Sequence, residues 1–298
     1  MVLVTLLWSI AGVVTRHLDS ARSFEVTFWR STFNALALAA ALTVARGASL
    51  WGDLRRAAWP VWASSLCWAV MFTAFMVAIT LTTVANVLIT MAIAPLLTAL
   101  LARMVLGHRL PPRTWLAIAA AGAGIAWMFG HDAAASQHDA IVGTLVGLAV
   151  PLAAAINWTV LQHTGRVARP VEPAAAPRDD MLLAVLIGAL ISALTTLPAA
   201  LPFRATTHDL GLLALLGVVQ LALPCLLAVR VSRVLAAPEI ALLALLEVVF
   251  GVGWAWLGAN EAPSQSALSG GLLVLAALVG NELLGMRRGR AAGLSPTR

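Results

Sequence analysis

Ten long apolar stretches, separated by short polar links, follow one another along the chain. Each has about the length that an α-helix needs to cross the apolar core of a bilayer, roughly 20 residues. The pattern predicts an all-α polytopic membrane protein with ten transmembrane helices, and it places any function between those helices. The stretches cover residues 1–18, 24–45, 57–80, 83–106, 113–130, 141–165, 181–201, 210–233, 237–258 and 266–286.

The composition agrees with this prediction. Of the 298 residues, 61% are hydrophobic and 11% are charged, and the mean hydropathy is +0.92. A soluble domain of this size could not bury so much apolar surface. The first stretch lacks a charged start and a small-residue cleavage site, so we expect a span rather than a cleaved signal peptide. Cys67 and Cys225 form neither a disulfide framework nor a metal-ligand pattern.

All cationic residues other than histidine are arginines, and they are unevenly distributed. Fifteen lie in the even-numbered links and the C-terminal tail, whereas Arg16, Arg22 and Arg204 lie in the odd links and Arg30 lies inside the second stretch. Arginine-rich short loops stay on the cytoplasmic side. We therefore expect cytoplasmic even links and cytoplasmic termini, which requires an even number of spans. The high pI then reflects topology, and no nucleic-acid partner is expected.

The region from the fourth to the fifth stretch resembles the region from the ninth to the tenth. Both contain a helix rich in small residues, then Leu-Gly, a short turn with proline, and a helix rich in glycine and alanine. Five crossings end on the opposite side of the membrane, so the two halves must be inverted. We expect one membrane domain made of two five-helix repeats, residues 1–134 and 135–298, with a substrate site near the midplane between them.

Several segments also resemble a known family. The stretch TTVANVLITMAIAPLLTALLARMVLGHRLPPRTWLAI, the pair LLWSIAGVVTR and FEVTFWRS, and GANEAPS followed by GGLLVLAAL resemble the EamA type of the drug/metabolite transporter (DMT) superfamily. The resemblance implies ten helices in two inverted repeats. It also implies a bacterial inner (plasma) membrane protein. APEIALLALLEVVFGVGWAWL and the mid-stretch tryptophans are similar to YddG-type exporters of aromatic amino acids. His108 stands where the family has an acidic residue in the first half, whereas Glu261 keeps that residue in the second.

Glu247 is an acidic residue in the middle of the ninth stretch. An ionised side chain at this depth costs about 2.5 kcal/mol or more, so such residues usually face a cavity or a partner. Two roles remain open. The carboxylate could meet a substrate ammonium or take up a proton, or it could be a hydrogen-bonded acid that ties helices together.

Three prolines interrupt apolar stretches: Pro95, Pro151 and Pro224. Each removes an amide donor and frees the carbonyl four residues earlier. We expect helix kinks that shape a pocket, with curvature absorbed by packing as the alternative. Gln220, one turn before Pro224, supports a pocket at the eighth stretch.

The remaining candidates are aromatic rings and uncharged polar groups inside the stretches. Rings can stack on aromatic substrates, and amides can bind a carboxylate, although ordinary helix packing explains each residue equally well. With arginine concentrated at the rim, we expect recognition to rest on these groups and on Glu247. The predicted substrate-binding residues are Trp8, Ser9, Trp68, Phe72, Phe75, Asn86, Thr90, Met91, Asn157, Trp158, Gln220 and Glu247.

Glycines within the stretches predict close contacts between helices. They are Gly122, Gly124, Gly143, Gly147, Gly251, Gly253, Gly270 and Gly271. Gly122-x-Gly124 is not a nucleotide-binding fingerprint, since no strand precedes it.

These features favour a transporter that exports small amphipathic metabolites, first of all aromatic or other neutral amino acids, by alternating access. Transport would be facilitated or proton-linked. The alternatives are an exporter of drugs or organic cations and, in another class, an intramembrane enzyme or sensor. The sequence contains no catalytic triad, zinc-protease motif or P-loop, so we expect no enzyme, cofactor or metal. The expected partners are a small-molecule substrate and the lipid bilayer. The pattern leaves the oligomeric state open and is compatible with a monomer.

Overall fold

The computed structural model describes residues 1–21, 23–47, 49–106, 111–134, 138–167, 180–231, 243 and 246–293. This part of the chain is built from helices and short links and contains no strand. The helices are α1 (Val2–Ser9), α2 (Ala11–Thr15), α3 (Ser23–Arg46), α4 (Ser49–Arg55), α5 (Trp59–Leu81), α6 (Val84–Met91), α7 (Ala94–Leu106), α8 (Pro112–Ala134), α9 (His138–Val167), α10 (Asp180–Ala200), α11 (Thr207–Leu215), a π-helical segment (Leu216–Ala222), α12 (Leu223–Val231), α13 (Leu246–Ala259) and α14 (Gln265–Gly293).

The all-helical class is confirmed for the described residues, and each predicted apolar stretch contains helix. Four segments are both long and apolar enough to cross a membrane: Trp59–Leu81, Leu182–Ala200, Thr207–Ala228 and Gln265–Gly285. Shorter apolar helical segments cover Val2–Thr15, Val84–Thr98, Ile141–Asn157 and Leu246–Ala259. These features support a multi-pass membrane protein. The ten spans, their inverted repeat and their orientation stay predictions.

Local chemistry explains where helices begin and end. Between α5 and α6 the backbone is extended at Thr82 and Thr83, and the Thr83 hydroxyl accepts a hydrogen bond from the Asn86 amide at 3.2 Å. Threonine is a good N-cap because its oxygen satisfies an amide that has no partner within the helix. Thr206 caps α11 in the same way, in a capping box with Asp209. The polar breaks between apolar stretches are therefore helix starts.

The core consists of two clusters of buried apolar residues that share α3 and α5. The first cluster is centred on α6 and the inner faces of α5, α8, α13 and α14. The second is centred on α10, with contributions from α3, Phe72 of α5 and Cys225 of α12. Both clusters extend into the π-helical segment, through Leu216 in the first and Leu221 in the second. The π-helical segment therefore lies where the two clusters meet.

Glycines allow several of these helices to pack closely. A Cβ atom at Gly251 would lie 2.3 Å from Leu88 Cδ1, one at Gly271 would lie 2.5 Å from Ile89 Cδ1, and one at Gly124 would lie 2.7 Å from the Gly270 carbonyl oxygen. The predicted close contacts are confirmed at these positions. The prediction is wrong for Gly122 and Gly253, since no atom lies within 4 Å of a Cβ atom built there.

The outer surface carries many large apolar side chains. Leu257 is 80% exposed, Leu116 is 72% exposed and Leu272 is 71% exposed. Water-soluble proteins rarely show such extended apolar surface. Surrounding lipid would cover it, which agrees with the apolar composition of the helices.

Candidate functional site

Arg30, in the second turn of α3, lies in the interior and is 2% exposed. Its Nε and Nη2 atoms both donate hydrogen bonds to the Gln220 Oε1 atom, at 3.2 and 2.8 Å. The Gln220 Nε2 atom in turn donates to the Trp8 carbonyl oxygen at 3.0 Å. One chain of polar contacts therefore joins α3, the π-helical segment and α1.

An aromatic ring and a carboxylate also lie near Arg30. The guanidinium lies over the Phe75 ring, 5.6 Å from its centroid, which is within the range of cation–π attraction. Glu247 lies close enough for its charge to act on Arg30. The Nη1 atom is buried and has no hydrogen-bond partner among the described residues. We refer to Trp8, Arg30, Phe75, Gln220 and Glu247 as the Arg30 cluster.

Glu247 lies in the first turn of α13 and is half-buried. Gly251 follows one turn later on the same helix face, and a Cβ atom there would meet Leu88 of α6 and lie 3.5 Å from the Ser9 carbonyl oxygen. The face that carries Glu247 is therefore directed at α1 and α6. In the described part of the chain, Arg30 is the basic group whose charge acts on this carboxylate.

The π-helical segment determines where Gln220 is placed. Pro224 follows this segment and cannot donate a backbone hydrogen bond. Gly217 packs so closely on α3 that a Cβ atom would lie 2.7 Å from the Arg30 carbonyl oxygen. Segments with wider helical turns are often found at functional sites. Here the segment places the Gln220 side chain within hydrogen-bond distance of the Arg30 guanidinium.

The predicted aromatic residues fall into two groups. Trp8 reaches the Arg30 cluster through its backbone carbonyl, while its side chain packs against the second core cluster. Phe75 lies at the Arg30 cluster, and Met91 packs against the same core cluster as Phe75. Trp68 and Phe72 instead contact each other on α5, with ring centroids 5.5 Å apart, and belong to the second core cluster. Trp158 is on α9, but its side chain lies outside what the structure describes. The described rings therefore belong to two core clusters.

The predicted uncharged polar residues are all buried. Asn86 donates to the Thr82 hydroxyl at 3.2 Å, and Ser9 donates to the Leu6 carbonyl at 2.8 Å. The Thr90 hydroxyl and the Asn157 Oδ1 atom have no partner among the described residues. Asn86 and Thr90 lie on α6, the helix that α13 contacts through Gly251.

The predicted prolines occupy three different settings. Pro95 is in the first turn of α7, so it lies at the boundary between α6 and α7 rather than inside one helix. Pro151 lies within the uninterrupted α9. Pro224 lies in the first turn of α12, directly after the π-helical segment. A fourth proline, Pro198, lies within α10 and was not among the predicted positions.

Arg30 was missed by the sequence analysis. It lies in the interior beside two of the predicted residues, Gln220 and Phe75. The signal was present in the sequence, since an arginine within an apolar stretch is costly and usually has a functional or pairing role. The distribution of arginines among the links indicates orientation but does not distinguish this interior arginine from those at the rim.

A second polar network lies at the helix ends near the links that follow α2, α5 and α13. The Arg16 Nε atom donates to Glu261 at 2.6 Å, and its Nη1 and Nη2 atoms donate to the carbonyl oxygens of Ile79 and Thr82 at 2.9 and 2.8 Å. The second Glu261 oxygen accepts from the Val84 amide at 2.6 Å. This network joins the three links by hydrogen bonds.

Replacement of Glu261 by glutamine is expected to lower the free energy of unfolding by about 1 to 3 kcal/mol. The amide would keep one acceptor and lose the charge-assisted bond to Arg16. Thermal unfolding in detergent measures this change. Arg16→Lys and the double variant complete a double-mutant cycle. Strictly additive losses would show that the two residues do not act as a pair.

Two buried carboxylates accept hydrogen bonds from the backbone of two further links, the one between α2 and α3 and the one between α10 and α11. Glu25, at the start of α3, accepts from the amides of Arg204 and Ala205, both at 2.8 Å. Asp209, at the start of α11, accepts from the amides of Asp19, Ser20 and Ala21 at 2.7 to 3.2 Å, as well as from its own N-cap residue. The link before α11 is therefore anchored by α3, and the link before α3 is anchored by α11.

Asp19, His208 and Asp209 each have a potential metal-ligand atom, and these atoms lie within 4.8 Å of one another. The Asp209 oxygens already accept four backbone amides, and His208 and Asp19 are exposed and 3.2 Å apart. Backbone anchoring explains this group without a metal.

Residues 1–130 match the EamA-like transporter family. The matched part includes α1 to α7 and most of α8, and therefore Trp8, Arg30 and Phe75 of the Arg30 cluster. Gln220 and Glu247 lie beyond it.

Ten chains of solved structures match this fold. One, titled only as the crystal structure of a protein, is 21% identical in sequence, with a TM-score of 0.62 over 97% of this chain and 96% of that chain. At this identity the likeness concerns the fold alone. A search of curated proteins finds no match.

Proposed function

We propose that the protein is a transporter that exports small amphipathic metabolites, with aromatic or other neutral amino acids as its first candidate substrates. The observation that carries the proposal is the Arg30 cluster, a buried cation and a half-buried carboxylate beside the aromatic ring of Phe75, inside an apolar helical protein. The match of residues 1–130 to a transporter family supports the same class of function.

The cost of these charges is the physical argument. Burying an unpaired guanidinium or carboxylate in an apolar medium costs several kcal/mol, even after local relaxation. Replacing the cluster with apolar side chains would remove that cost. Charged groups in this setting commonly mark substrate or proton pathways. An amino acid carries complementary charges together with an apolar side chain, and Phe75 offers it an aromatic neighbour.

The transport mechanism that we propose is alternating access between the two inverted halves, 1–134 and 135–298. The cluster combines residues from both halves: Trp8, Arg30 and Phe75 from the first, and Gln220 and Glu247 from the second. A site shared in this way changes its accessibility when one half rocks against the other. Both termini would be cytoplasmic, in a bacterial inner membrane.

Export of organic cations is the second candidate, favoured by Glu247 alone. A carboxylate inside an apolar protein attracts a cation, and that cation need not carry a carboxylate of its own. Arg30 opposes this function, because its positive charge repels a second cation and neutralises part of the Glu247 field. Amino-acid export therefore fits the two charges together better than cation export does.

Proteoliposomes containing the purified protein test the proposal. We expect flux of labelled phenylalanine or threonine above that of protein-free liposomes, and little flux of a labelled organic cation. Repeating the measurement with and without a pH gradient shows whether transport is facilitated or proton-linked. Flux of the cation alone would support the second candidate, and no flux of any amino acid would contradict the first.

A further inference from the structure

We propose that the Nε–Nη2 edge of Arg30 is the binding site for the carboxylate of the transported substrate, and that Gln220 occupies this site when substrate is absent. The inference rests on the proposed transport function and specifies its substrate class. The site would take carboxylates that carry an apolar or aromatic side chain.

The hydrogen-bond geometry is the first argument. Two parallel donors of Arg30 converge on one amide oxygen of Gln220, at 3.2 and 2.8 Å. This edge of a guanidinium matches the two oxygens of a carboxylate, which accept one hydrogen bond each. Gln220 offers a single oxygen to both donors. Gln220 therefore occupies the edge of the guanidinium that binds carboxylates, but it satisfies the two donors there less fully than a carboxylate would.

Charge is the second argument. Arg30 is 2% exposed, and among the described residues its direct hydrogen-bond partner is a neutral amide. Its Nη1 atom has no partner in the described part of the chain. Glu247 acts on the guanidinium only through space. A substrate carboxylate would supply the missing negative charge, and charge-assisted hydrogen bonds are about twice as strong as neutral ones.

The placement of Gln220 is the third argument. Its side chain comes from a π-helical segment, and conversion of a π turn to an α turn changes the direction of the side chains on it. Gln220 also donates to the Trp8 carbonyl, so its release would free a backbone acceptor beside the substrate. Phe75, on the face of the guanidinium, would then adjoin the apolar part of the substrate.

The test compares L-phenylalanine with L-phenylalaninamide, which keeps the ring and the ammonium but lacks the carboxylate. Each compound competes with labelled phenylalanine for uptake into proteoliposomes. Wild-type protein should prefer phenylalanine by about tenfold or more, the discrimination typical of a paired hydrogen-bonding site whose partner is missing. Arg30→Lys should lose most of this preference, because an ammonium offers a point charge rather than a planar pair of donors.

Gln220→Glu provides an independent variant. Glutamate has nearly the size of glutamine, and its carboxylate would occupy the Arg30 edge permanently. We expect this variant to remain monodisperse on size exclusion and to lose phenylalanine uptake at least tenfold. Arg204→Lys, at an exposed arginine, and Gln265→Glu, at an exposed glutamine, are matched controls. Both should behave as wild type.

The outcomes separate this inference from the proposed function. Equal competition by the two compounds in wild-type protein would refute the carboxylate site and leave the transporter intact. Wild-type behaviour of Gln220→Glu would refute it as well, even if Arg30→Lys does not fold. No flux of any substrate in wild-type protein would refute the transport function and the site together.

Discussion

Replacement of Glu247 by glutamine is expected to lower the uptake of substrates that carry an ammonium group by about tenfold or more. A charge-assisted hydrogen bond contributes roughly 1.5 to 3 kcal/mol, and 1.4 kcal/mol corresponds to a factor of ten. Glutamine keeps the shape of the side chain but removes its charge. The same change leaves Arg30 without the carboxylate that acts on it, so a lower unfolding temperature should accompany the loss of transport.

The measurement is uptake of labelled phenylalanine into proteoliposomes across the pH range in which carboxyl groups titrate. N-acetylphenylalanine, which lacks the ammonium, serves as the substrate control, and the variant should not reduce its binding. Asp19→Asn removes an exposed carboxylate in a link and is the matched control variant. Wild-type rates and an unchanged pH response of Glu247→Gln would assign this residue to helix packing.

Replacement of Gly217 by alanine is expected to lower the free energy of unfolding by about 2 to 3 kcal/mol, the upper range for overpacked cores. An added Cβ atom would lie 2.5 Å from Phe33 Cβ, 2.7 Å from the Arg30 carbonyl oxygen and 2.8 Å from the Asn34 amide nitrogen. Two of these atoms belong to the backbone of α3 and cannot rotate away. The π-helical segment would have to move, and Gln220 would leave the guanidinium.

Gly122→Ala is the matched control for this prediction. No atom lies within 4 Å of a Cβ atom at Gly122, and alanine favours a helix over glycine by up to about 1 kcal/mol. Thermal unfolding in detergent, followed by size exclusion, should show a clear loss for Gly217→Ala and none for Gly122→Ala. Equal effects of the two changes would show that the contact with α3 does not limit stability.

The positions of the helices could be predicted because bilayer-length apolar stretches and the polar residues between them are encoded locally. The break after α5 is an example, since Thr83 both interrupts the apolar pattern and caps the next helix. The division of one apolar stretch into α-helical and π-helical segments could not be predicted in the same way. Hydropathy does not distinguish an α turn from a π turn, so the segment that carries Gln220 looked like ordinary helix with a proline after it.

The candidate site was predicted only in part, because its key contacts join residues that are distant in the sequence. Gln220 and Glu247 were noticed as polar residues in apolar stretches. Their neighbour Arg30 was counted with the arginines that set orientation. The contact of Trp68 with Phe72 follows from helical spacing, whereas the proximity of Arg30 to Gln220 depends on how α3 packs on the π-helical segment. No local pattern specifies that packing.

The reciprocal anchoring of two links by Glu25 and Asp209 has a mechanical consequence. Each carboxylate belongs to one predicted half and accepts hydrogen bonds from the backbone of the other. The two halves are therefore joined at this end by two sets of hydrogen bonds. Separation of the halves at this end would break both sets of hydrogen bonds, because either set alone keeps the halves joined. An arrangement in which only one set is broken would leave one buried carboxylate without its donors from the other half, which is energetically costly.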